Sequence, residues 1–337
     1  MFSKLFDSFL VHYLECFNDH CFTVKIGDNE YTIGDGESEF TVIVNRDIPK
    51  KDLLISAELA LGEAYMRKDI EIEGDLFKAL CVVLGHVGKD SINRKVLSSL
   101  FNAGLKKKDQ KQQVSSHYDL GNEFYKLWLD ETMSYSCAYF KHENDSLKDA
   151  QYQKVHHILD KLYLKEGMTL LDIGCGWGFL LIEAARKYGV KGYGCTLSEE
   201  QWKKGQERIK EYGLEGQVEI ELIDYRDVAA SGRTFDRIVS IGMLEHVGRP
   251  NFPLYMEDAS EMLKDGGLFL LHYISDPSEK ETSAWIRKYI FPGGCLPSLR
   301  EMVSLAYDYD MNVIDVESLR YHYYKTLICL LYTSPSP

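Results

Sequence analysis

Apolar positions recur in three different rhythms along the chain, and each rhythm predicts its own kind of structure. Near the start, Phe2, Leu5, Phe6, Phe9, Leu10, Tyr13, Leu14 and Phe17 fall at the three- and four-residue spacing of one helix face. The opposite face holds Lys4, Asp7, His12 and Glu15 and is not basic. Interfacial helices carry lysine and arginine there, so docking on the protein's own fold is the better reading. Residues 21–44 alternate weakly and contain the turn formers Gly27-Asp28-Asn29 and Gly34-Asp35-Gly36. This predicts short strands over 21–26 and 40–44. Helical stretches follow over 49–62 and 76–84, so residues 1–104 read as a small α+β domain. Gly104 to Gln113 is polar and aperiodic, which predicts a linker over 105–116. Its lysines read as a solvated tether in preference to a contact for lipid phosphates.

From residue 114 the pattern changes to strands alternating with helices. Ser146-Leu147-Lys148-Asp149 has the form of a capping box, opening a helix that ends near Leu162. Strands are predicted over 169–173, 191–197, 218–223, 235–240 and 268–274. Such alternation predicts a doubly wound, mainly parallel α/β sheet, here assigned to residues 117–327.

The first of these strands runs into Gly174-Cys175-Gly176-Trp177-Gly178. Glycines adopt positive φ and let a ligand approach the backbone. Open α/β sheets bind nucleotides at such a turn, beyond the carboxyl end of a strand. A dinucleotide G-x-G-x-x-G would need glycine at Phe179. The mismatch, with Asp172 just before the turn, favours S-adenosylmethionine over NAD.

The other strand ends supply further candidates. The second ends near Thr196, followed by Glu199, Glu200 and Gln201, where an acidic residue usually holds ribose hydroxyls. Hydroxyl and amide groups can make the same bonds. The third ends at Asp224-Tyr225-Arg226, placed either to meet an adenine ring or simply to pack at the surface. The fourth leads to Glu245, which aims into the cleft or only complements a helix dipole. The fifth ends at His272, expected on one strand face with Ile274; the alternative is a satisfied buried histidine. Cys137 lies in the loop Tyr135-Ser136-Cys137-Ala138-Tyr139-Phe140, with no G-x-S-x-G, C-x-x-C or zinc-ligand spacing to make it a nucleophile or a metal ligand.

Composition narrows the partners. The 337 residues are 45% hydrophobic and 27% charged, which is globular and long enough for two domains. A net charge of −13 argues against nucleic acid and against general attraction to an anionic membrane. A membrane substrate would need a local patch. Eight scattered cysteines and a charged start without a secretory pattern read as a reducing cytoplasm. No run approaches the length of a transmembrane span.

Five ordered stretches carry a resemblance: His117-Tyr118-Asp119-Leu120-Gly121-Asn122, Tyr135 to Phe140, Leu171 to Gly178, Gly242-Met243-Leu244-Glu245-His246-Val247-Gly248, and Tyr289-Ile290-Phe291-Pro292-Gly293-Gly294-Cys295-Leu296-Pro297-Ser298. Through them residues 114–324 resemble the cyclopropane-fatty-acyl-phospholipid synthases and the related mycolic acid cyclopropane synthases. The first hundred residues resemble the family's small lipid-binding domain more weakly, mainly through Leu61-Gly62-Glu63-Ala64-Tyr65-Met66. The resemblance implies a class I methyltransferase fold, with S-adenosylmethionine as methyl donor. The implied acceptor is the cis double bond of an unsaturated phospholipid acyl chain. Attack of the alkene on the sulfonium methyl leaves a carbocation, and loss of a proton closes the cyclopropane ring. The resemblance also implies bicarbonate as the base, caged by Cys137, Glu245, His272, the backbone at Ile274, and Tyr323. Cys137 would then help to hold the anion. Implied cofactor contacts are Tyr135, Ser136, Asp172, Gly174, Gly176, Thr196, Gln201, Tyr225 and Arg226. A cytoplasmic enzyme touching the inner membrane surface follows from the same resemblance, which leaves a homodimer open.

Beyond Leu327 the resemblance stops, and residues 328–337 read as a non-native tail on a shortened chain. The family adds a strand between the fifth and sixth. Residues 312–316 are therefore expected to lack a sheet neighbour, and the fifth strand to be an open edge. Three alternatives remain: a sibling enzyme making methyl-branched or methylene chains, a small-molecule methyltransferase, and a fragment that binds cofactor or lipid without turnover.

Overall fold

Gly27, at φ +58°, turns the chain between β1 (Phe22–Ile26) and β2 (Asn29–Ile33), which pair antiparallel from Ile26 opposite Asn29. This hairpin starts the smaller part of a computed structural model that describes residues 11, 14, 15, 19–86, 121–277, 279 and 282–333. The chain divides into two units, Met1–Asn102 with Ser283–Ile290, and Ala103–Thr282 with Phe291–Pro337.

In the small unit, β3 (Phe40–Val44) and β4 (Ile70–Gly74) complete a sheet of order β2-β1-β3-β4, and β1 pairs with β3 in parallel. Helices α1 (Lys50–Met66) and α2 (Leu76–His86) supply Ala60, Ala64 and Ala79 to a core built on Val24, Ile26 and Val44. The rings of Phe22 and Phe40 stack in it at 5.0 Å. Strands β1 and β3 lie where alternation placed them; β2, with the sequence Asn-Glu-Tyr-Thr-Ile, and β4, with Ile-Glu-Ile-Glu-Gly, went unpredicted. Helix α1 runs past its expected end at Gly62. The reason is local: a Cβ at Gly62 would stand 2.5 Å from Cδ1 of Trp285, so the glycine admits the indole. Trp285 lies on α9 (Ala284–Tyr289), which the sequence assigned to the larger domain. Val11 and Leu14 pack on the small core; the rest of the amphipathic N-terminal pattern, the 105–116 linker and His117 to Leu120 lie outside the described residues.

The large unit holds β5 (Thr169–Ile173), β6 (Lys191–Thr196), β7 (Val218–Leu222), β8 (Phe235–Ile241) and β9 (Leu263–His272). Their order is β7-β6-β5-β8-β9 and every neighbouring pair is parallel. Period-two alternation sorts β5 between two cores. Leu170 joins Leu159 of α4 (Leu147–Lys161) and Leu181 of α5 (Phe179–Tyr188). Leu171 and Ile173 join Val228 of α7 (Tyr225–Ala230), Tyr255 of α8 (Phe252–Met262) and Met302 of α10 (Leu299–Asp308) on the other face. The remaining helices are α3 (Asn122–Lys126), α6 (Glu199–Glu211) and α11 (Arg320–Thr333). This is the doubly wound parallel sheet that the alternation predicted, in the class I methyltransferase form that the resemblance implied. Ser146 caps α4 as expected, accepting from Asp149 N–H at 3.1 Å.

Two boundaries differ. Strand β9 starts five residues early and ends at His272, whose carbonyl accepts from Gly242 N–H at 2.9 Å. Ile274 therefore follows the strand and does not share its face. Residues 311–319 form neither helix nor strand, and β9 is an edge of the described sheet. Residues 328–333 continue α11.

Candidate active site

The three glycines after β5 do different work. Gly174, Gly176 and Gly178 have φ of +81°, +54° and +80°. A Cβ at Gly174 would lie 2.9 Å from Met243 Cγ, and one at Gly178 would lie 2.5 Å from Ile220 Cδ1, so both are packing glycines. An added Cβ at Gly176 would meet nothing within 4 Å. Gly174 N–H and Cys175 N–H both donate to Cys195 O at 3.1 Å, which fixes the turn against the end of β6.

Beyond these strand ends lies a cavity of about 150 Å³. Tyr135, Ser136, Asp172, Gly174, Gly176, Thr196, Gln201 and Tyr225 all line it. Thr196 Oγ1 donates to Gln201 Oε1 at 2.8 Å, and Ser198, the N-cap of α6, accepts from Gln201 N–H. That pair stands where an acid is usual. Tyr225 is buried against Tyr255 and its hydroxyl has no partner among the described residues, so surface packing does not describe it. Arg226 is the exception among the expected cofactor contacts. Its guanidinium bonds both carboxylate oxygens of Asp224, at 2.8 and 2.7 Å, and it does not line the cavity.

Asp172 is buried at the cavity wall, and desolvation pushes its pKa up to about 7 against the opposing pull of the Lys154 charge. Lys154 is equally buried on the same cavity, and desolvation brings it down to about 8. Sequence reasoning missed Lys154 and Gln151, whose amide donates to Ser136 O at 2.9 Å and Ser134 O at 3.3 Å. A signal existed: both fall on the buried stripe of α4 that includes Ala150, Val155, Ile158 and Leu159.

A second cluster adjoins the cavity through the segment that follows Ser136. Glu245 is buried in the short helical turn Leu244–His246 after β8. Its Oε1 accepts from Ile274 N–H at 2.7 Å, and its Oε2 is buried with no partner among the described residues. Desolvation pushes this carboxyl up to about 7, with the Ile274 bond opposing. His272 Nδ1 is also buried without a partner among the described residues, and desolvation, then the Lys154 charge, lowers the imidazole to about 4. It is neutral at physiological pH and is not the satisfied buried histidine of the alternative reading. Burial raises the Cys137 thiol to about 11, so it carries its proton. Tyr323 is pushed upward by burial and by the nearby Tyr135, Glu245 and Cys137. Tyr323 of α11 thus lies near Glu245 and Cys137, Glu245 holds the Ile274 backbone, and His272 ends β9 two residues before Ile274.

Helix α11 holds the Cys137 segment directly. Ala138 N–H donates to Thr326 Oγ1 and Phe140 N–H to His322 Nδ1, both at 3.0 Å. Tyr139 is stacked between His157 and His322, at 4.2 and 4.4 Å. These two pairs lie 188 and 182 residues apart, and no local pattern signals them.

Comparison with known proteins gives the family and the fold. Residues 105–330 match the family described as mycolic acid cyclopropane synthetase, and residues 9–89 match a domain of unknown function, DUF7884. The chain is 37% identical over 316 residues to a probable fatty acid methyltransferase of Pseudomonas putida, covering 90% of this chain and 78% of that protein. It is 44% identical over 260 residues to the cyclopropane-fatty-acyl-phospholipid synthase of Escherichia coli K12, covering 75% of this chain but only 65% of that protein. Among solved structures it resembles the cyclopropane synthase MmaA2 of Mycobacterium tuberculosis, with a TM-score of 0.63 and 33% identity over 66% of this chain and 82% of that one. The mycolic acid cyclopropane synthase CmaA1 complexed with SAH and CTAB gives a TM-score of 0.59 and 34% identity, again over 66% of this chain and 82% of that one.

Proposed function

The chain belongs to the mycolic acid cyclopropane synthetase family, and from that premise we propose that it transfers the methyl group of S-adenosylmethionine to the cis double bond of an unsaturated phospholipid acyl chain, closing a cyclopropane ring. The observation that carries this reading is the junction at Ser136-Cys137. Ser136 lines the glycine-turn cavity, and the next residue, Cys137, lies near Tyr323, which is also near the buried Glu245.

S-adenosylmethionine held along the glycine turn would supply an electrophilic methyl group. Thr196 and Gln201, which line the same cavity, would hold its ribose and Tyr225 its adenine. The acceptor alkene becomes cationic, and water must be kept from it. The stacked rings of Tyr135 and Phe291, 6.3 Å apart, offer faces that favour a cation. Glu245 brings negative charge near it.

The cluster fits a small oxyanion that carries one hydroxyl. Glu245 Oε2 and His272 Nδ1 are buried and lack partners among the described residues, while Cys137 and Tyr323 keep protons to donate. Bicarbonate held there by these four side chains would supply the base that takes the proton from the acyl cation. The protonated thiol supports an anion-holding role for Cys137 over nucleophilic attack.

No helix of the described residues is long and apolar enough to cross a membrane. Peripheral contact with a lipid surface is the proposed route to substrate, supported by the exposed Ile55, Met66, Phe77 and Leu80 of the small unit.

The test is transfer of labelled methyl from S-adenosylmethionine to unsaturated phospholipid vesicles, with and without added bicarbonate. Cyclopropane protons in the product NMR spectrum support the proposal. A methyl branch or methylene group would favour the sibling chemistry, a reading kept because the Pseudomonas putida relative is named a fatty acid methyltransferase. Cofactor binding without label in lipid would favour a binding role alone.

A further inference from the structure

Three successive backbone donors after Cys137 are taken by two helices in alternation. Ala138 N–H goes to Thr326 Oγ1 of α11, Tyr139 N–H to Ala150 O of α4, and Phe140 N–H to His322 Nδ1 of α11, each at 3.0 Å. The two α11 contacts are joined, because the Thr326 hydroxyl donates to His322 O one turn back at 2.8 Å. Cys137 Sγ itself lies 3.8 Å from Leu319 O, just ahead of the helix. The Cys137 segment is thus fastened to the helix that carries Tyr323.

Of the three N–H contacts, only the one at His322 ends on a titratable side chain. A backbone N–H can only donate, so Nδ1 keeps its lone pair and the ring proton sits on Nε2. Protonation of Nδ1 would set a donor against a donor. Thr326 does the equivalent work for Ala138 with a hydroxyl, at any pH.

The surroundings favour the neutral ring. Tyr139 stacks on His322 at 4.4 Å and on His157 of α4 at 4.2 Å, and Tyr321 of α11 stands edge-on at 6.5 Å. His157 Nε2 bonds Glu317 Oε2 at 2.7 Å, and Lys161 reaches the same carboxylate at 2.6 Å. Lys325, the nearest cation on α11 itself, is turned to Glu143 O at 2.6 Å. Desolvation lowers the His322 pKa from the ordinary 6.5, Glu317 pulls the other way, and His157 and Lys325 add to the lowering. The ring is therefore neutral at pH 7 and gains its charge only below 6.5.

Resting on the reaction reading above, we propose that His322 is a positioning residue, whose neutral Nδ1 holds the Cys137 segment against α11 and so sets Cys137 relative to Tyr323, the next residue along that helix. Protonation releases Phe140 and lets the two sides of the cluster part. Turnover then acquires an acid limb from a side chain that touches no reacting group.

The test compares wild type with His322→Phe, which keeps a flat ring against Tyr139 but has no acceptor, and with His322→Asn, whose amide oxygen can accept from Phe140 N–H and does not titrate. Labelled-methyl transfer to unsaturated phospholipid vesicles is followed from about pH 5 to 8, beside amide exchange of residues 137–140 corrected for its intrinsic rate. His322→Phe is expected to lower turnover about tenfold at neutral pH, as a buried donor without a partner predicts, with S-adenosylhomocysteine affinity within about threefold. His322→Asn is expected to recover most of that loss. Relative to wild type it should gain turnover as pH falls below 6.5, since Glu245 and His272 titrate in both proteins. Exchange at 137–140 should quicken in acid in the wild type and not in His322→Asn. A ratio of the two rates that stays constant with pH overturns the proposal, and so does wild-type exchange that ignores pH. Should His322→Phe fail to fold, wild type and His322→Asn decide between them. No methyl transfer by wild type at any pH would remove the reaction reading and the role in turnover with it, while acid-released exchange would still establish the latch.

Discussion

Glu245 Oε1 accepts a 2.7 Å hydrogen bond from the backbone N–H of Ile274, while Oε2 of the same carboxylate is buried without a partner among the described residues. One oxygen is an anchor and the other is left for a ligand. Glu245→Ala is expected to lower methyl transfer by at least about 100-fold, the usual scale for loss of an acid–base group. Affinity for S-adenosylhomocysteine should stay within about threefold, since Glu245 does not line the cofactor cavity. Turnover near the wild-type rate in a labelled-methyl assay would remove Glu245 from the reaction.

The same carboxyl makes stability depend on pH. Its folded-state pKa of about 7 lies above the ordinary 4.5, so between those values the native protein holds more protons than the unfolded chain. Stability from this group is fully present below about pH 4.5 and is lost as pH rises through 7, by on the order of 3 kcal/mol. His272, lowered to about 4, works in the opposite direction between about 4 and 6.5. Urea midpoints of wild type and Glu245→Gln across pH 4.5–8 separate the two, because the histidine contribution is common to both proteins. The wild type should lose stability relative to the variant as pH rises; parallel curves would contradict the assignment.

Two of the turn glycines should respond differently to a methyl group. At Gly178 the positive φ and Ile220 Cδ1 at 2.5 Å combine, so Gly178→Ala is expected to cost about 2–4 kcal/mol of folding stability. At Gly176 the added carbon meets nothing within 4 Å, leaving only backbone strain of about 1–2 kcal/mol. Because Gly176 lines the cavity, its alanine variant should instead weaken S-adenosylhomocysteine binding about tenfold or more. Thermal melts and calorimetry on the two variants measure both effects.

Thr326 is the partner of Ala138 N–H and is itself buried. Thr326→Val keeps the volume and leaves that donor unsatisfied, which should cost about 1–3 kcal/mol. The Cys137 segment should loosen with it. Turnover is expected to fall more than cofactor affinity, in contrast to a uniform loss from global unfolding.

The parallel sheet was legible because its strands are short apolar runs separated by amphipathic helices, and Leu170 and Leu171 follow that pattern to opposite cores. The glycine turn was legible because positive φ restricts the residue type. Arg226 was placed correctly along the chain but not in space: its fork finds Asp224, two residues away, in preference to the cavity. Lys154 hid because a lysine in a helix reads as solvent-facing, and only its position on the apolar stripe argued otherwise. The contacts of α11 with the Cys137 loop depend on chain crossing that no local pattern encodes.

The indole of Trp285 against Gly62 also bears on how the protein is made. Residues Ser283–Ile290 belong with Met1–Asn102, so the N-terminal unit leaves the ribosome without one of its own helices. At about 5–20 residues per second, that helix follows roughly ten to forty seconds later. Until then the surface around Gly62 is bare, and the nascent unit is exposed to chaperones and proteases in an unfinished form. Order of synthesis and order of completion therefore differ in this chain.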